Sequence, residues 1–252
     1  MTSRFTDKVV LVTGGGSGIG RATALAFARE GANVIVAGRS VDSLNQTIEL
    51  IEAEGGRASL VTADVSRLDE VQELVETTVT QNGGLDIAVN NAGVSGAGLV
   101  ADMSEEAWSE LVATNLTGTW LTMKHEITHM RDNGGGVIVN IASNVGPHTT
   151  MPIIGAYGAT KAAVSSLTRA AAKEHIGDGI RINAVSPGPV ATELSRPPGQ
   201  TDAERDAWYA SMIPRGKIGN AEEIAGAVLW MASPEASYTI GEDLVIDGGV
   251  SS

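Results

Sequence analysis

A doubly wound α/β fold, a seven-stranded parallel sheet with helices on both faces, is what this sequence predicts, and three observations predict it. Short β-branched runs alternate with longer stretches of helical period, the signature of βαβ units. A glycine-rich turn lies directly between the first such run and the first helical stretch. The chain has 252 residues and 42% hydrophobic content, with no Pro/Ser-rich linker, repeat or low-complexity tract, so residues 1–252 fit one large domain with a full core.

Lys8 to Thr13 reads as a buried strand. Gly18 to Glu30 follows as a helix with Ala22, Leu25, Ala26 and Arg29 at helical spacing, stopped by Gly31. Asn33 to Ala37 is the second strand, and Val41 to Ala53 a helix ending at Gly55-Gly56. Ala58 to Thr62 gives a third strand, and about Arg67 to Gln81 a third helix. Asp86 to Val89 is the fourth strand. One long helix is expected from about Ser104 to Arg131, opened by a Ser104 cap with Glu105 and Glu106 in its first turn. Gly136 to Ala142 is a strand, Ala156 to His175 a helix and Ile180 to Val185 a strand. The pattern lapses after Pro187, then resumes with a helix at Ala221 to Met231 and a last strand at Asp243 to Ile246. Right-handed crossovers place the helices on both faces and a ligand beyond the strands' carboxyl ends.

Charge narrows the function classes. Seventeen basic residues against 30 acidic ones give a net charge of −13, and Lys and Arg form no cluster of the kind that tracks a phosphate backbone. Nucleic acid and anionic membrane surfaces are therefore not expected partners. The N-terminal residues carry no apolar signal region, and no apolar run reaches the length of a membrane span. With no cysteine, disulfide and thiolate chemistry are excluded, which fits a reducing cytoplasm. No cluster of His and acids suggests a metal.

Two local patterns carry chemistry. Thr13-Gly14-Gly15-Gly16-Ser17-Gly18-Ile19-Gly20 joins a strand to a helix N-terminus. Without Cβ atoms the backbone there can approach a pyrophosphate, and first-turn N–H groups point at it. The spacing Gly14-x-x-x-Gly18-x-Gly20 is neither G-x-G-x-x-G nor a Walker loop. Farther on, Tyr157 and Lys161 fall at i and i+4. On a helix they share a face about 6 Å apart along the axis. A lysine there stabilises phenolate and draws the tyrosine below its free pKa of about 10, making a proton donor and acceptor. The alternative is a half-buried aromatic beside a solvated cation.

Taken together, Thr13–Gly20, Asn90-Asn91-Ala92-Gly93, Asn115, Ser143 and Tyr157-x-x-x-Lys161 resemble the motifs of the short-chain dehydrogenase/reductase family. The resemblance runs from the first strand to Ile246-Asp247-Gly248-Gly249 and implies a Rossmann fold of the single-domain kind. It implies that Tyr157 is the catalytic acid/base, Lys161 its tuning group and ribose ligand, and Ser143 the hydroxyl on the substrate oxygen. Asn115 would position a proton-relay water. Gly14, Gly16, Ser17, Gly18, Ile19 and Gly20 would cradle the cofactor's pyrophosphate. Asp64 and Val65 would meet its adenine, and Asn91, Ala92 and Gly93 would flank it. Pro187, Gly188, Val190 and Thr192 would border the nicotinamide carboxamide.

The end of the second strand bears on cofactor choice. Gly38 stands where the family's NAD enzymes tend to carry Asp, and Arg39 follows, then Ser40. A guanidinium grips a 2′-phosphate bidentately and Ser40 adds a donor, so NADP(H) is favoured and NAD(H) is the alternative. No basic residue stands inside the glycine turn, a departure from many NADP-dependent relatives.

Substrate residues are expected from three loops at the same sheet end: Val94 to Gly98, Asn144 to Ile154, and Pro189 to about Gly219, the last resembling a mobile lid. Their mainly apolar character points to a neutral ketone or secondary alcohol. Within the lid, Trp208 and Met212 either pack on the body or touch substrate; in the Asn144 to Ile154 loop, His148 reads as a plain loop residue and not as a ligand. The resemblance further implies a homotetramer built on the two long helices and the C-terminal strand. The competing reading is a cofactor-binding sensor without turnover, but such relatives usually lack the tyrosine or lysine that this chain keeps. A sugar epimerase of the extended branch is disfavoured by the glycine spacing.

Overall fold

The computed structural model describes residues 3–197 and 199–252; Met1, Thr2 and Pro198, the last within the expected lid, lie outside the described residues. Seven parallel strands form one sheet in the order β3-β2-β1-β4-β5-β6-β7. They are β1 (Val9–Thr13), β2 (Asn33–Gly38), β3 (Arg57–Thr62), β4 (Ile87–Asn90), β5 (Gly136–Ile141), β6 (Ile180–Pro187) and β7 (Asp243–Ile246). The order reverses between β1 and β4, which opens a crevice beyond their carboxyl ends.

Helices α1 (Gly18–Arg29), α2 (Val41–Ala53), α3 (Leu68–Asn82), α4 (Glu105–Leu111), α5 (Thr119–Asp132), α6 (Gly155–His175), α7 (Asp202–Ala210) and α8 (Ala221–Ala232) connect or follow the strands. Alternation along β1 separates two cores. Val10 and Val12 face Phe27 of α1, Leu44 of α2 and Val228 of α8. Val9 and Leu11 face Leu74 of α3, Met123 and Ile127 of α5, and Ala171 of α6. Each such fully buried aliphatic side chain contributes about 1.5–3 kcal/mol against its exposed state. The expected element boundaries hold to within one or two residues, with one exception.

The helix expected from Ser104 to Arg131 is not one α-helix. Ser104 caps it as expected, its hydroxyl accepting from the Ala107 amide. Between α4 and α5, however, Val112–Gly118 forms a π-helical turn. The cause lies in local contacts. A Cβ on Gly118 would stand 2.8 Å from Val65 Cγ2, so only glycine lets the chain approach the β3–α3 turn there. Asn115 in the same turn is drawn to backbone outside its helix.

No helix among the described residues is long and apolar enough to cross a membrane, and none of their His, Cys, Asp and Glu side chains form a metal-holding group.

Candidate active site

The glycine turn is built around left-handed backbone. Gly14 and Gly18 have φ of 65° and 50°, a region that side chains rarely tolerate. Asn91, directly after β4, fastens the turn: its Nδ2 donates to the carbonyls of Thr13 at 3.0 Å and Gly14 at 3.3 Å. A Cβ on Gly14 would lie 2.7 Å from that nitrogen. In return, Thr13 Oγ1 accepts from the amides of Asn91 at 3.0 Å and Ala92 at 3.1 Å. The turn therefore stands at the crevice packed tightly on Asn91, Val36 and Ser43 where the Cβ atoms of Gly14, Gly15 and Gly16 would sit, so glycine is required there.

Arg21 is a member of this site that the sequence reading missed. Its Nε donates to Thr47 Oγ1 at 3.0 Å, and its Nη2 donates to the Gly16 carbonyl and to Gln46 Oε1 at 3.2 Å. It thereby clamps the glycine turn to α2. Thr47 Oγ1 adds a bond to the Gly15 carbonyl at 3.0 Å. Thirteen-to-twenty motif reading gives no signal for this, because Arg21 follows the last glycine and its partners come from another helix.

At the neighbouring rim, Arg39 is exposed and its Nη1 lies 4.0 Å from Asp64 Oδ2, a loose pairing that leaves guanidinium hydrogens free. Asp64 is held by the Ser66 amide at 2.9 Å and the Ser66 hydroxyl at 2.7 Å. Although burial raises it, these bonds and the nearby Arg39 and Arg67 leave its carboxyl below the ordinary range. Ser40 caps α2, its hydroxyl accepting from the Ser43 amide at 3.4 Å and from the Ser43 hydroxyl at 2.9 Å, which leaves its own proton to donate. Val65 is buried among Val71 and Leu121, so only its backbone is available to a ligand.

Ser143 follows β5, and Tyr157 and Lys161 lie on the first turns of α6, which begins at Gly155. The expected shared helical face therefore forms. Lys161 is buried; its Nζ donates to the Ile141 carbonyl at 2.8 Å and lies 5.9 Å from the Tyr157 ring centre. Burial lowers its ammonium to about 8. The Tyr157 ring keeps partial exposure. Burial pushes its phenol above the ordinary value, and a hydrogen bond with Ser143 opposes that rise. The expectation that Lys161 by itself draws the phenol down is thus corrected: at this separation desolvation prevails.

Asn115 is fully buried. Its Oδ1 accepts from the Val94 amide at 2.8 Å, while its Nδ2 donates to the Val94 carbonyl at 2.9 Å and to Thr160 Oγ1 at 3.3 Å. The π turn is what aims the side chain this way. A Cβ on Gly93 would stand 3.2 Å from Asn115 Oδ1 and 3.6 Å from Lys161 Nζ, so these three residues converge.

Beyond β6, the Pro187 carbonyl accepts from the Asn144 amide at 2.9 Å, and the Gly188 amide donates to the Ile246 carbonyl at 2.9 Å. A Cβ on Gly188 would come within 2.5 Å of Asp247 Cβ. Val190 is buried, and Thr192 reaches over the glycine turn, its Cγ2 3.1 Å from where a Gly18 Cβ would stand. Arg205 of α7 is buried and donates to the Thr192 carbonyl at 3.3 Å, which joins α7 to this segment.

A cavity of about 110 Å³ opens at the loop that follows Ser143, walled by Val145, Met151, Pro189, Met212, Ile213 and Val250, with Asn144, Thr149, Thr150 and Tyr209 as its polar members. Met212 lines it; Trp208 instead stays half-exposed and stacks against the Tyr209 ring at 4.6 Å. Val94 to Gly98, the first expected substrate loop, does not contribute to this wall. His148 is no plain loop residue. Its Nε2 lies 3.0 Å from the buried Asp243 carboxylate, which the Ser165 and Ser186 hydroxyls also donate to.

A family model described as enoyl-(acyl carrier protein) reductase matches residues 14–251. An uncharacterized oxidoreductase of Thermotoga maritima is 39% identical, over 97% of this chain and 98% of its own length. Cyclohexanol dehydrogenase of Acinetobacter sp. (strain SE19) is 36% identical, over 100% of this chain and 98% of its own. Among solved structures, a short-chain type dehydrogenase/reductase from Mycobacterium marinum superposes with a TM-score of 0.94 at 38% identity, covering 99% of this chain and 98% of that one. With its parallel sheet, glycine turn and Tyr157–Lys161 face, the chain belongs to the short-chain dehydrogenase/reductase family of oxidoreductases.

Proposed function

We propose that the protein interconverts a neutral apolar ketone and its secondary alcohol with NADP(H), using Tyr157 as acid/base. The observation that carries this is the Tyr157–Lys161 pair on one face of α6, the lysine buried and its Nζ 5.9 Å from the phenol ring, with Ser143 opposing the rise of the phenol. The glycine turn at the N-terminus of α1 fits a dinucleotide: Gly14, Gly16, Ser17, Gly18, Ile19 and Gly20 would hold its pyrophosphate. Arg39 and Ser40 would take the 2′-phosphate, and Asp64 with the Val65 backbone the adenine. Asn91, Ala92 and Gly93 would flank it, while Pro187, Gly188, Val190 and Thr192 would border the carboxamide. When bound, the nicotinamide supplies or accepts the hydride.

The chain's own residues manage the oxygen. In reduction the Tyr157 hydroxyl gives its proton to the carbonyl oxygen while Ser143 donates a second hydrogen bond, so the developing negative charge meets two preorganised donors. In oxidation Tyr157 takes the proton back. Lys161 spends one hydrogen on Ile141, and its remaining hydrogens serve the ribose and the phenol side. Asn115 fixes the Val94 backbone beside Lys161 and holds the place for a relaying water. Residues 189–219 act as the lid of a single domain.

The apolar cavity wall supports a substrate without a carboxylate, and the likeness to a cyclohexanol dehydrogenase makes cyclohexanone a first probe. The exposed small residues Ala159, Ser166 and Ala170 of α6 support close helix approach in a cytoplasmic homotetramer. The test is oxidation of NADPH and NADH with a panel of cyclic and open ketones, beside Tyr157→Phe. An active Phe variant would remove Tyr157 from its role, and a kcat/KM favouring NADH would reverse the cofactor assignment.

A further inference from the structure

Glu126 of α5 is wholly buried behind the site and has no part in the mechanism above. It belongs to a buried polar chain whose hydrogen-bond directions can be followed from one end. The Thr168 hydroxyl donates to the Val164 carbonyl at 2.8 Å, so its oxygen accepts from Asn140 Nδ2, also at 2.8 Å. Asn140 Nδ2 gives its second hydrogen to Met123 Sδ at 3.1 Å, which leaves Asn140 Oδ1 as an acceptor. Asn90 must therefore present its NH₂ there: Nδ2 donates to Asn140 Oδ1 at 3.0 Å and to Glu126 Oε2 at 2.9 Å. Both hydrogens of Asn90 are then committed.

Two atoms of this chain are left over: Asn90 Oδ1 and Glu126 Oε1, both buried and both without a partner among the described residues. They are the two oxygens that a second bond between the Asn90 and Glu126 side chains would join. With Glu126 ionised, both are acceptors and neither is satisfied, a costly state inside a protein. A proton on the carboxyl turns one of them into a donor.

We propose that Glu126 is a neutral acid in the folded protein, closing a reciprocal acid–amide pair with Asn90, and that this pair positions the Asn91–Gly93 turn. Asn90 ends β4, and Asn91 follows it directly onto the Thr13 and Gly14 carbonyls. The same chain reaches Asn140, three residues before Ser143 on the β5 strand, and Thr168, two turns after Lys161 on α6. The groups acting on Glu126 agree with a neutral acid: burial raises it to about 7, only the Asn90 bond opposes, and no charged side chain contributes. The positioning half rests on the cofactor reading; the acid–amide half stands without it.

Glu126→Gln and Glu126→Leu test both halves. Glutamine copies the neutral acid, one amide hydrogen replacing the proton, whereas leucine strands Asn90. In infrared difference spectra of wild type minus Glu126→Gln at about pH 6, a protonated-carboxyl stretch is expected. Because the folded value is raised, the pair's stability is present below the unfolded glutamate value and is lost as pH rises through about 7. The Tm of wild type relative to Glu126→Gln should therefore fall over that window. Carboxylate bands alone, or a Tm difference that ignores pH, would overturn the acid–amide pair. So would a Gln variant as damaged as Leu.

For positioning, fluorescence titration should show NADPH binding by Glu126→Leu roughly tenfold weaker, with Glu126→Gln within about twofold of wild type. Unchanged affinity in the Leu variant would overturn this half. Should that variant fail to fold, the ratio of wild-type to Gln dissociation constants must still rise through about pH 7, and a flat ratio refutes positioning. A protein that binds no nicotinamide nucleotide would remove the positioning half with the cofactor reading, while the infrared and unfolding results still decide the acid–amide pair.

Discussion

Lys161 Nζ stands 5.9 Å from the centre of the Tyr157 ring and gives one hydrogen to the Ile141 carbonyl at 2.8 Å. The lysine is thus anchored to the sheet while remaining beside the phenol. Lys161→Ala is expected to weaken cofactor binding and slow turnover together, each by roughly tenfold or more, where Tyr157→Phe slows turnover alone. Binding titrations beside steady-state kinetics separate the two; a Lys161→Ala protein with normal cofactor affinity would restrict the lysine to tuning.

The same burial has a pH consequence. The folded ammonium titrates at about 8, below its unfolded value, so the fold penalises the charged form. The unfolded chain then binds more protons between about 8 and 10.5, and this contribution makes stability rise with pH across that window. Lys161→Met lacks the titration. Its stability relative to wild type should be greatest near neutral pH and decline by about 3 kcal/mol toward the top of the window. Denaturant unfolding at several pH values checks the slope, and a constant difference would contradict it.

Arg39 follows β2 as an exposed residue and, among the described residues, pairs only loosely with Asp64 at 4.0 Å. Replacing it with Asp should repel a 2′-phosphate and accept bonds from a ribose hydroxyl. The ratio of kcat/KM for NADPH over NADH is expected to drop by about 100-fold, roughly the worth of a bidentate guanidinium–phosphate contact. An unchanged ratio would place cofactor selection elsewhere.

Arg21 holds the Gly16 carbonyl and α2 through a forked set of bonds. Arg21→Lys cannot reproduce that fork. Both Arg21→Lys and Arg21→Ala should lose about 2 kcal/mol, roughly 4 °C in Tm for a chain of this size. Cofactor affinity should fall in parallel. Calorimetry of both variants suffices, and full rescue by lysine would show that charge alone matters.

His148 ties the loop after β5, expected to line the substrate, to Asp243 at the start of β7. Loss of that tie in His148→Ala should raise KM for the ketone by roughly fivefold, about 1 kcal/mol, and leave cofactor affinity near wild type. Equal losses for both ligands would mean that the whole sheet edge has shifted.

The sheet was legible because each strand is a short apolar run between turn residues, a pattern that buried parallel strands impose. The glycine turn and the Tyr157–Lys161 face were legible because each is local, within eight residues of sequence. Arg21, His148 and Glu126 were not, since their partners on α2, β7 and β4 come from distant segments. The phenol's upward direction was hidden for a related reason: spacing reveals a neighbouring lysine but not how much protein surrounds both.

The wide turn at Val112–Gly118 carries a consequence of another kind. An α-helix rotates about 100° per residue, so a turn with one surplus residue sets α4 out of phase with α5. Deleting a single residue there would leave helix content and both hydrophobic stripes nearly intact. It would nevertheless swing Asn115 off the Val94 backbone, where its amide now bonds both the N–H and the carbonyl. The orientation of this corner of the site is stored as an angle between two helical segments, and it would survive many substitutions but not one deletion.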